Sequence, residues 1–387
     1  MAAETLLETG WGRFTLELNH GDSSRSLRAW DAADDFLLEE LKEAPPHKDA
    51  HLAIFNDAYG GLALPLVEYA PRLFCDSASS RDAIRRNALA NALATTPDFN
   101  ELSDLVEPAG DYQFDLVLLK VPKSLSLLEY QLTLLKPHLH PDARVLAAGM
   151  SREIHTSTLD LFERHIGATR TSLARKRARL IYSEPAAEKP SGEGPAVASV
   201  PAPTEYEVPG IPVALINLPG VFSRERLDPG TRLFLEELPR EIGAGRVADF
   251  GCGNGVLAIR TALQNSSAEL WGVEDSAVAV ESARLNCVRQ GLTGRVNIRH
   301  GFSLNELPES FDWIVSNPPF HLGRRVTIDP TLQMFAQAKE KLAPGGRLLI
   351  VANGHLGYQA HLERLFGNSR ILRENKKFIV LEAINEN

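Results

Sequence analysis

The chain has 387 residues, 44% of them apolar, and a formal net charge of −9. That is enough for two globular cores and shows none of the bias of disordered, fibrous or disulfide-stapled chains. Most of the acidic excess falls on the first half, which excludes a simple polycationic nucleic-acid tag and leaves any nucleic acid to be met by local basic patches. Cys75, Cys252 and Cys287 lie far apart without metal-type spacing, no secretory signal opens the chain, and no apolar run reaches the roughly 18 residues of a membrane span. These features predict reduced thiols, no metal and a cytoplasmic protein.

Residues 11–18 alternate enough for a strand, and 27–41 place Leu27, Trp30, Ala33, Leu37, Leu38 and Leu41 at helical spacing before Pro45-Pro46. Residues 51–56 predict a strand, Asp57-Ala58-Tyr59-Gly60-Gly61 a turn, and Leu62 the start of a helix. Strands at 73–76, 115–119 and 143–148 then alternate with helices at 80–93, 125–135 and 156–166. Residues 172–182 hold two short strands about Arg175-Lys176-Arg177. Such alternation means an α/β domain with a mostly parallel sheet.

Residues 183–203, rich in Pro, Ala, Glu, Gly and Ser, have almost nothing to bury and read as an interdomain linker. After it come a helix at 227–238, a strand at 246–250, the turn Gly251-Cys252-Gly253-Asn254-Gly255 and a helix at 256–263. A strand at 269–274, a helix at 277–290 and strands at 295–300 and 311–315 lead to Asn317-Pro318-Pro319-Phe320. Helices at 331–342 and 359–366 flank a strand at 347–352, and a hairpin at 369–383 closes the chain.

The halves repeat each other. Phe114-Asp115-Leu116-Val117 matches Phe311-Asp312-Trp313-Ile314, and Cys75-Asp76-Ser77 matches Glu274-Asp275-Ser276, with Asn87 against Asn286 at the same offset. Residues 54–60 match 247–253 in outline, and 173–180 match 372–379 as a hairpin with a basic turn. The copies differ where chemistry would sit: Lys120-Val121-Pro122-Lys123 stands against Asn-Pro-Pro-Phe. We therefore expect a degenerate domain over 1–183, a linker over 184–204 and a catalytic domain over 205–387.

In the second copy a Gly-x-Gly-x-Gly turn lets backbone approach a ligand, with Asp249 before it and Glu274 about 20 residues on, where a carboxylate can grip ribose hydroxyls. The turn carries no lysine, so it is not a triphosphate loop. A nucleoside site without a phosphate clamp fits S-adenosylmethionine. The two prolines of Asn317-Pro318-Pro319-Phe320 stop the fourth strand at the same sheet edge. The Asn317 amide oxygen and Pro318 carbonyl can accept from a flat group's –NH2, and Phe320 can stack on its ring.

Residues 249–255, Val273-Glu274-Asp275-Ser276 and Ser316-Asn317-Pro318-Pro319-Phe320-His321 resemble those of class I S-adenosylmethionine-dependent methyltransferases. More narrowly, the chain resembles the bacterial ribosomal RNA guanine-N2 methyltransferases, the RlmG/RsmC family. Ala29-Trp30-Asp31, Lys120-Val121-Pro122-Lys123, His155-Thr156-Ser157, Val221-Phe222-Ser223-Arg224 and Asn375-Lys376-Lys377-Phe378 point to the large-subunit (23S) branch. The resemblance implies two tandem Rossmann-like methyltransferase domains, the first degenerate. It implies Asn317, Pro318, Pro319 and Phe320 at the guanine amine, and a cofactor held by Asp249, Gly251, Cys252, Gly253, Asn254 and Glu274 or Asp275. Relatives often show Asp before Glu where this chain has Glu274-Asp275.

It further implies 23S ribosomal RNA as the substrate, and we expect a monomer. Arg164, Arg170, Arg175, Lys176, Arg177 and Arg179 form the best basic patch and Lys376-Lys377 a second, each read either as a solvated hairpin turn or as a contact to RNA phosphates. His138 and His140 read as loop residues. The alternatives are a 16S enzyme, a protein-glutamine N5 methyltransferase, and a non-catalytic ribosome assembly factor.

Overall fold

The computed structural model describes residues 4–18, 28–95, 97–107, 112–186, 200–308, 310–318 and 329–386. Two compact units divide between Ala202 and Pro203. The first comprises β1 (Leu6–Thr9), β2 (Gly12–Thr15), α1 (Ala32–Glu43), β3 (Leu52–Phe55), β4 (Arg72–Phe74), α2 (Ala78–Ala90), β5 (Asp98–Asn100), β6 (Phe114–Lys120), α3 (Leu125–Leu135), β7 (Leu139–Met150), α4 (Thr156–His165), β8 (Thr169–Thr171) and β9 (Ala178–Ser183). The second comprises β10 (Thr204–Tyr206), β11 (Leu215–Asn217), α5 (Pro229–Phe234), β12 (Arg246–Phe250), α6 (Val256–Gln264), β13 (Glu269–Glu274), α7 (Ala277–Arg289), β14 (Val296–His300), β15 (Phe311–Ser316), α8 (Asp329–Lys341), β16 (Leu342–Asn353), α9 (Tyr358–Phe366), β17 (Arg370–Glu374) and β18 (Phe378–Ile384).

Each unit is built on a seven-stranded mixed sheet, in the order β5-β4-β3-β6-β7-β9-β8 and β14-β13-β12-β15-β16-β18-β17. The first five strands of each are parallel, and only the closing hairpin runs antiparallel. Strands buried on both faces need apolar residues at successive positions. In the second unit Val247, Val315 and Leu349 join one core cluster, while their neighbours Ala248, Ile314 and Leu348 join the other. The chain reverses its direction of strand addition between β12 and β15, and in such sheets the crevice at the carboxyl ends there receives ligands.

The Phe-Asp repeat is a register clamp. Asp115 Oδ2 accepts from His51 N, and Asp312 Oδ2 from Arg246 N, each at 2.8 Å, so the fourth strand's aspartate holds the start of the first. Asn87 and Asn286 act alike: each amide bonds both backbone groups of one residue, Glu17 or Ile216, and a loop carbonyl, Tyr59 or Asn254.

Several expectations need correction. The segment at 11–18 is the second half of a hairpin that starts at Leu6. The helix expected from 27 starts at Ala32, because the Asp31 carboxylate caps it by accepting from Ala33 N and Asp34 N. No α-helix starts at Leu62: Pro65 lacks the required N–H, and the segment ends in a 3₁₀ turn at Val67–Tyr69. The helix expected over 227–238 is only α5, six residues long, capped at its start by Asp228 and ended at Leu235, with Pro239 disfavouring helical geometry at Leu238. Strand β5 and the β10–β11 hairpin were not foreseen. Most of the expected linker lies outside the described residues.

Candidate active site

The site is built where β12 gives way to α6. Asp249, near the end of β12, is 1% exposed. Its Oδ2 accepts from Ala258 N at 3.0 Å, whereas Oδ1 has no partner among the described residues. Burial pushes this carboxyl up to about 8; the Ala258 N–H holds it back, and the Glu274 charge adds to the rise.

The three glycines that follow have different jobs. Gly251 (φ +69°) and Gly253 (φ +54°) adopt left-handed backbone, and a Cβ on either would meet nothing within 4 Å. Open space over a left-handed turn is what a closely bound ligand needs. A Cβ on Gly255 would lie 3.3 Å from Ala283 and Ile259, so that glycine serves the packing of α6 on α7.

Cys252 is buried, with its Sγ 2.9 Å from where a Cβ on Gly272 would fall, and burial raises its thiol well above the ordinary range. It is a small neutral filler, not a nucleophile. Asn254 donates to Tyr206 Oη at 2.8 Å and Asn217 Oδ1 at 2.7 Å, and its own Oδ1 accepts from Val256 N. Its side chain braces the β10–β11 hairpin against the loop.

Glu274 closes β13. Its Oε2 accepts from Gly253 N at 2.8 Å and its Oε1 from Ser276 N at 2.9 Å, so it ties the glycine loop to the next strand end. Asp275 beside it is half-buried, and its carbonyl meets His300 Nε2 at 3.0 Å.

Asn317 follows β15 at the same sheet edge. Its Nδ2 donates to Thr231 Oγ1 at 2.9 Å and to Asp228 Oδ2 at 3.4 Å. Pro318 is buried, while Pro319 and Phe320 lie outside the described residues. Asp228 and Thr231 were missed from sequence. Asp228-Pro229 does carry a helix-start signal, a capping aspartate before proline, but nothing local tells that the cap faces Asn317.

The same places in the first unit are filled. The register clamps set Asn56, which the outline match put against Asp249, against Gly251, and Gly60 against Gly255; their φ values, +62° and +93°, agree with +69° and +84°. The outline match of 54–60 with 247–253 is thus two residues out of register. Where Gly251 leaves space, Asn56 and Gln131 pair their side-chain amides at 2.8 and 3.0 Å, and Asn56 also bonds the Lys120 carbonyl. Buried Cys75 stands where Glu274 does. Lys120 stands where Asn317 does, with Nζ 2.6 Å from Asp34 Oδ2 and 3.2 Å from Asp31 Oδ1. Burial opposes its charge, but the two aspartates outweigh that and hold the ammonium above its ordinary value.

Comparison with known proteins decides the family. The RLMG N-terminal domain matches residues 4–187, and the methyltransferase small domain matches 212–382. The chain is 41% identical to the ribosomal RNA large subunit methyltransferase G of Streptomyces coelicolor, covering 98% of this chain and 100% of that protein. It is 40% identical to that of Aeromonas hydrophila and 41% to that of Pseudomonas aeruginosa, each over 98% of this chain and 99% of the relative.

The chain belongs to the ribosomal RNA large subunit methyltransferase G family.

Among solved structures, the T. thermophilus 16S rRNA N2 methyltransferase RsmC, determined with AdoMet and guanosine, matches with a TM-score of 0.76. The match covers 98% of this chain and 97% of that one at 24% identity, which shows the shared tandem fold. This chain thus carries two sheets of one topology, and among the described residues only the second keeps an open glycine loop.

Proposed function

We infer that this chain transfers the methyl group of S-adenosylmethionine to the exocyclic N2 amine of a guanine in 23S ribosomal RNA. The observation that carries the reading is end-to-end likeness to large-subunit methyltransferases in a chain whose second unit keeps the site open. The RsmC likeness, at 24% identity, speaks for fold and not for a 16S substrate.

The residues fit the cofactor. Asp249 Oδ1, buried and unpartnered among the described residues, suits its cationic amino end, and the space over Gly251 and Gly253 suits a close approach. Glu274 and Asp275 offer carboxylates to the ribose; Cys252 fills the floor of the loop, and Asn254 stiffens it. When bound, S-adenosylmethionine supplies a methyl group already activated on a sulfonium. The protein's part is then to hold the amine in line with it. Asn317 Oδ1 and the Pro318 carbonyl accept the two amine hydrogens, which localises a lone pair otherwise delocalised into the guanine ring. No strong base is required before transfer. Pro319 and Phe320 take their roles, turn and stacking ring, from the sequence pattern alone.

Residues 1–183 form the degenerate domain of this reading, 184–204 its linker and 205–387 the catalytic domain. The basic turn Arg175-Lys176-Arg177, exposed at the tip of β8–β9, is its candidate contact to RNA phosphates. The protein acts as a monomer in the cytoplasm, where its three buried cysteines remain thiols.

The test offers tritiated S-adenosylmethionine with 23S and 16S ribosomal RNA from cells lacking this gene, each protein-free and as the assembled subunit. Label recovered as N2-methylguanosine from 23S RNA is expected. Label only in 16S RNA, or none in RNA, overturns the reading.

A further inference from the structure

We propose, on the methyltransferase reading above, that Asp228 and Thr231 are positioning residues that decide which end of the Asn317 amide faces the substrate. An asparagine amide has two donors at Nδ2 and one acceptor at Oδ1, and the ends are nearly the same size, so shape alone does not choose between them. Here hydrogen bonding chooses. Nδ2 donates to Thr231 Oγ1 at 2.9 Å and Asp228 Oδ2 at 3.4 Å, both from the first turn of α5. Asp228 caps that helix, its Oδ2 also accepting from Thr231 N at 2.8 Å, and Thr231 is 5% exposed.

A carboxylate has no hydrogen to give. A flipped Asn317 would set Oδ1 against Asp228 Oδ2, acceptor against acceptor, so Asp228 selects the orientation while the Thr231 hydroxyl, at the shorter distance, holds the amide in place. Among the described residues nothing donates to Asn317 Oδ1. It therefore meets the substrate as a pure acceptor, which takes an N–H of an amine and repels a carbonyl oxygen. The Asp228 charge on the Nδ2 side polarises the amide and makes Oδ1 the stronger acceptor.

The first unit shows the same clamp with a different outcome. Asp31 and Asp34, at the cap and third position of α1, grip Lys120 at the end of β6, as Asp228 and Thr231 grip Asn317 beyond β15. An ammonium offers no acceptor, so that clamp presents nothing an amine could use. The helix-start-to-strand-end contact is common to both units; threonine with asparagine makes it present an oxygen.

Thr231→Val, Thr231→Ser, Asp228→Asn and the double variant Thr231→Val/Asn317→Ala are compared in the full chain. Readouts are single-turnover methyl transfer to 23S RNA, cofactor Kd by calorimetry and the melting temperature. Loss of the outer partner that orients a metal-ligating side chain typically costs about 10–100-fold, and the same scale is expected for this amide. Thr231→Val is expected to lose that much in rate with cofactor Kd unchanged, and Thr231→Ser to recover most of it. Asp228→Asn keeps a capping oxygen but can offer Asn317 a donor, and is expected to lose rate by at least about tenfold at the same melting temperature. Added to Asn317→Ala, Thr231→Val is expected to cost nothing more, because its effect passes through that amide. Wild-type rates in Thr231→Val, or the same loss on top of Asn317→Ala, overturn the assignment. A wild type that makes no N2-methylguanosine removes the underlying reading and this assignment with it; an active wild type beside a fully active Thr231→Val removes the assignment alone.

Discussion

Replacing Asp249 by Asn should abolish a pH dependence of cofactor binding that the wild-type site builds in. The Asp249 carboxyl is 1% exposed, its Oδ1 has no described partner, and burial pushes it up to about 8. A carboxyl with that value is about nine-tenths protonated at pH 7. A cation brought to Oδ1 favours the ionised form, so binding must expel the proton. Below the raised value each unit of falling pH makes ionisation about tenfold harder; above it the penalty vanishes. The Asp249 carboxyl's own share should therefore weaken S-adenosylmethionine Kd roughly 50-fold from pH 8 to pH 6 and release about 0.9 proton at pH 7, before correction for the cofactor's own amino group, which titrates near pH 8. Calorimetry in buffers of different ionisation heat measures both. Asp249→Asn should bind weakly with the slope gone, a comparison that also subtracts any histidine titrating in the same range. A wild-type Kd flat between pH 6 and pH 8, or an Asn variant that keeps both affinity and slope, would refute the assignment of Asp249 to the cationic end.

Asn317→Ala should lower single-turnover methyl transfer by about 100-fold or more, the scale of one lost transition-state hydrogen bond, with cofactor Kd unchanged. Lys120→Met leaves the buried Asp34 carboxyl without its cation, beside the exposed Asp31, and should cost about 3–5 kcal/mol in urea unfolding; stability equal to the wild type would dismiss the ion cluster as a structural element. Cofactor stoichiometry, by calorimetry, should be one per chain, since the Asn56–Gln131 pair fills the first unit's loop. Gly251→Ala forces an L-residue to φ +69° and should lose about 1 kcal/mol of stability. Its Cβ enters the open space of the loop, so cofactor Kd should weaken by more than that strain alone; an unchanged Kd would mean no ligand lies there.

The alternation of strands and helices, the tandem repeat, the glycine loop and the strand-ending Asn-Pro-Pro were all legible in the sequence. Each rests on local physics: which residues tolerate left-handed backbone, which lack an N–H, and how apolar positions recur. Even the failed helix at Leu62 was locally decidable, because Pro65 stood in its path. The tertiary structure alone decided what these pieces do to one another. Asn317 acquires its orientation from Asp228 and Thr231, 89 and 86 residues away in the chain. Asn254 lies among the loop residues of the sequence pattern, yet its side chain bonds Tyr206 and Asn217. The repeat slipped by two residues because matching letters cannot see the backbone hydrogen bonds that set strand register. That the first unit is filled, with Lys120 on two aspartates and Asn56 on Gln131, follows from contacts between distant segments, and a hydrogen bond leaves no mark on the sequence that says which distant partner completes it.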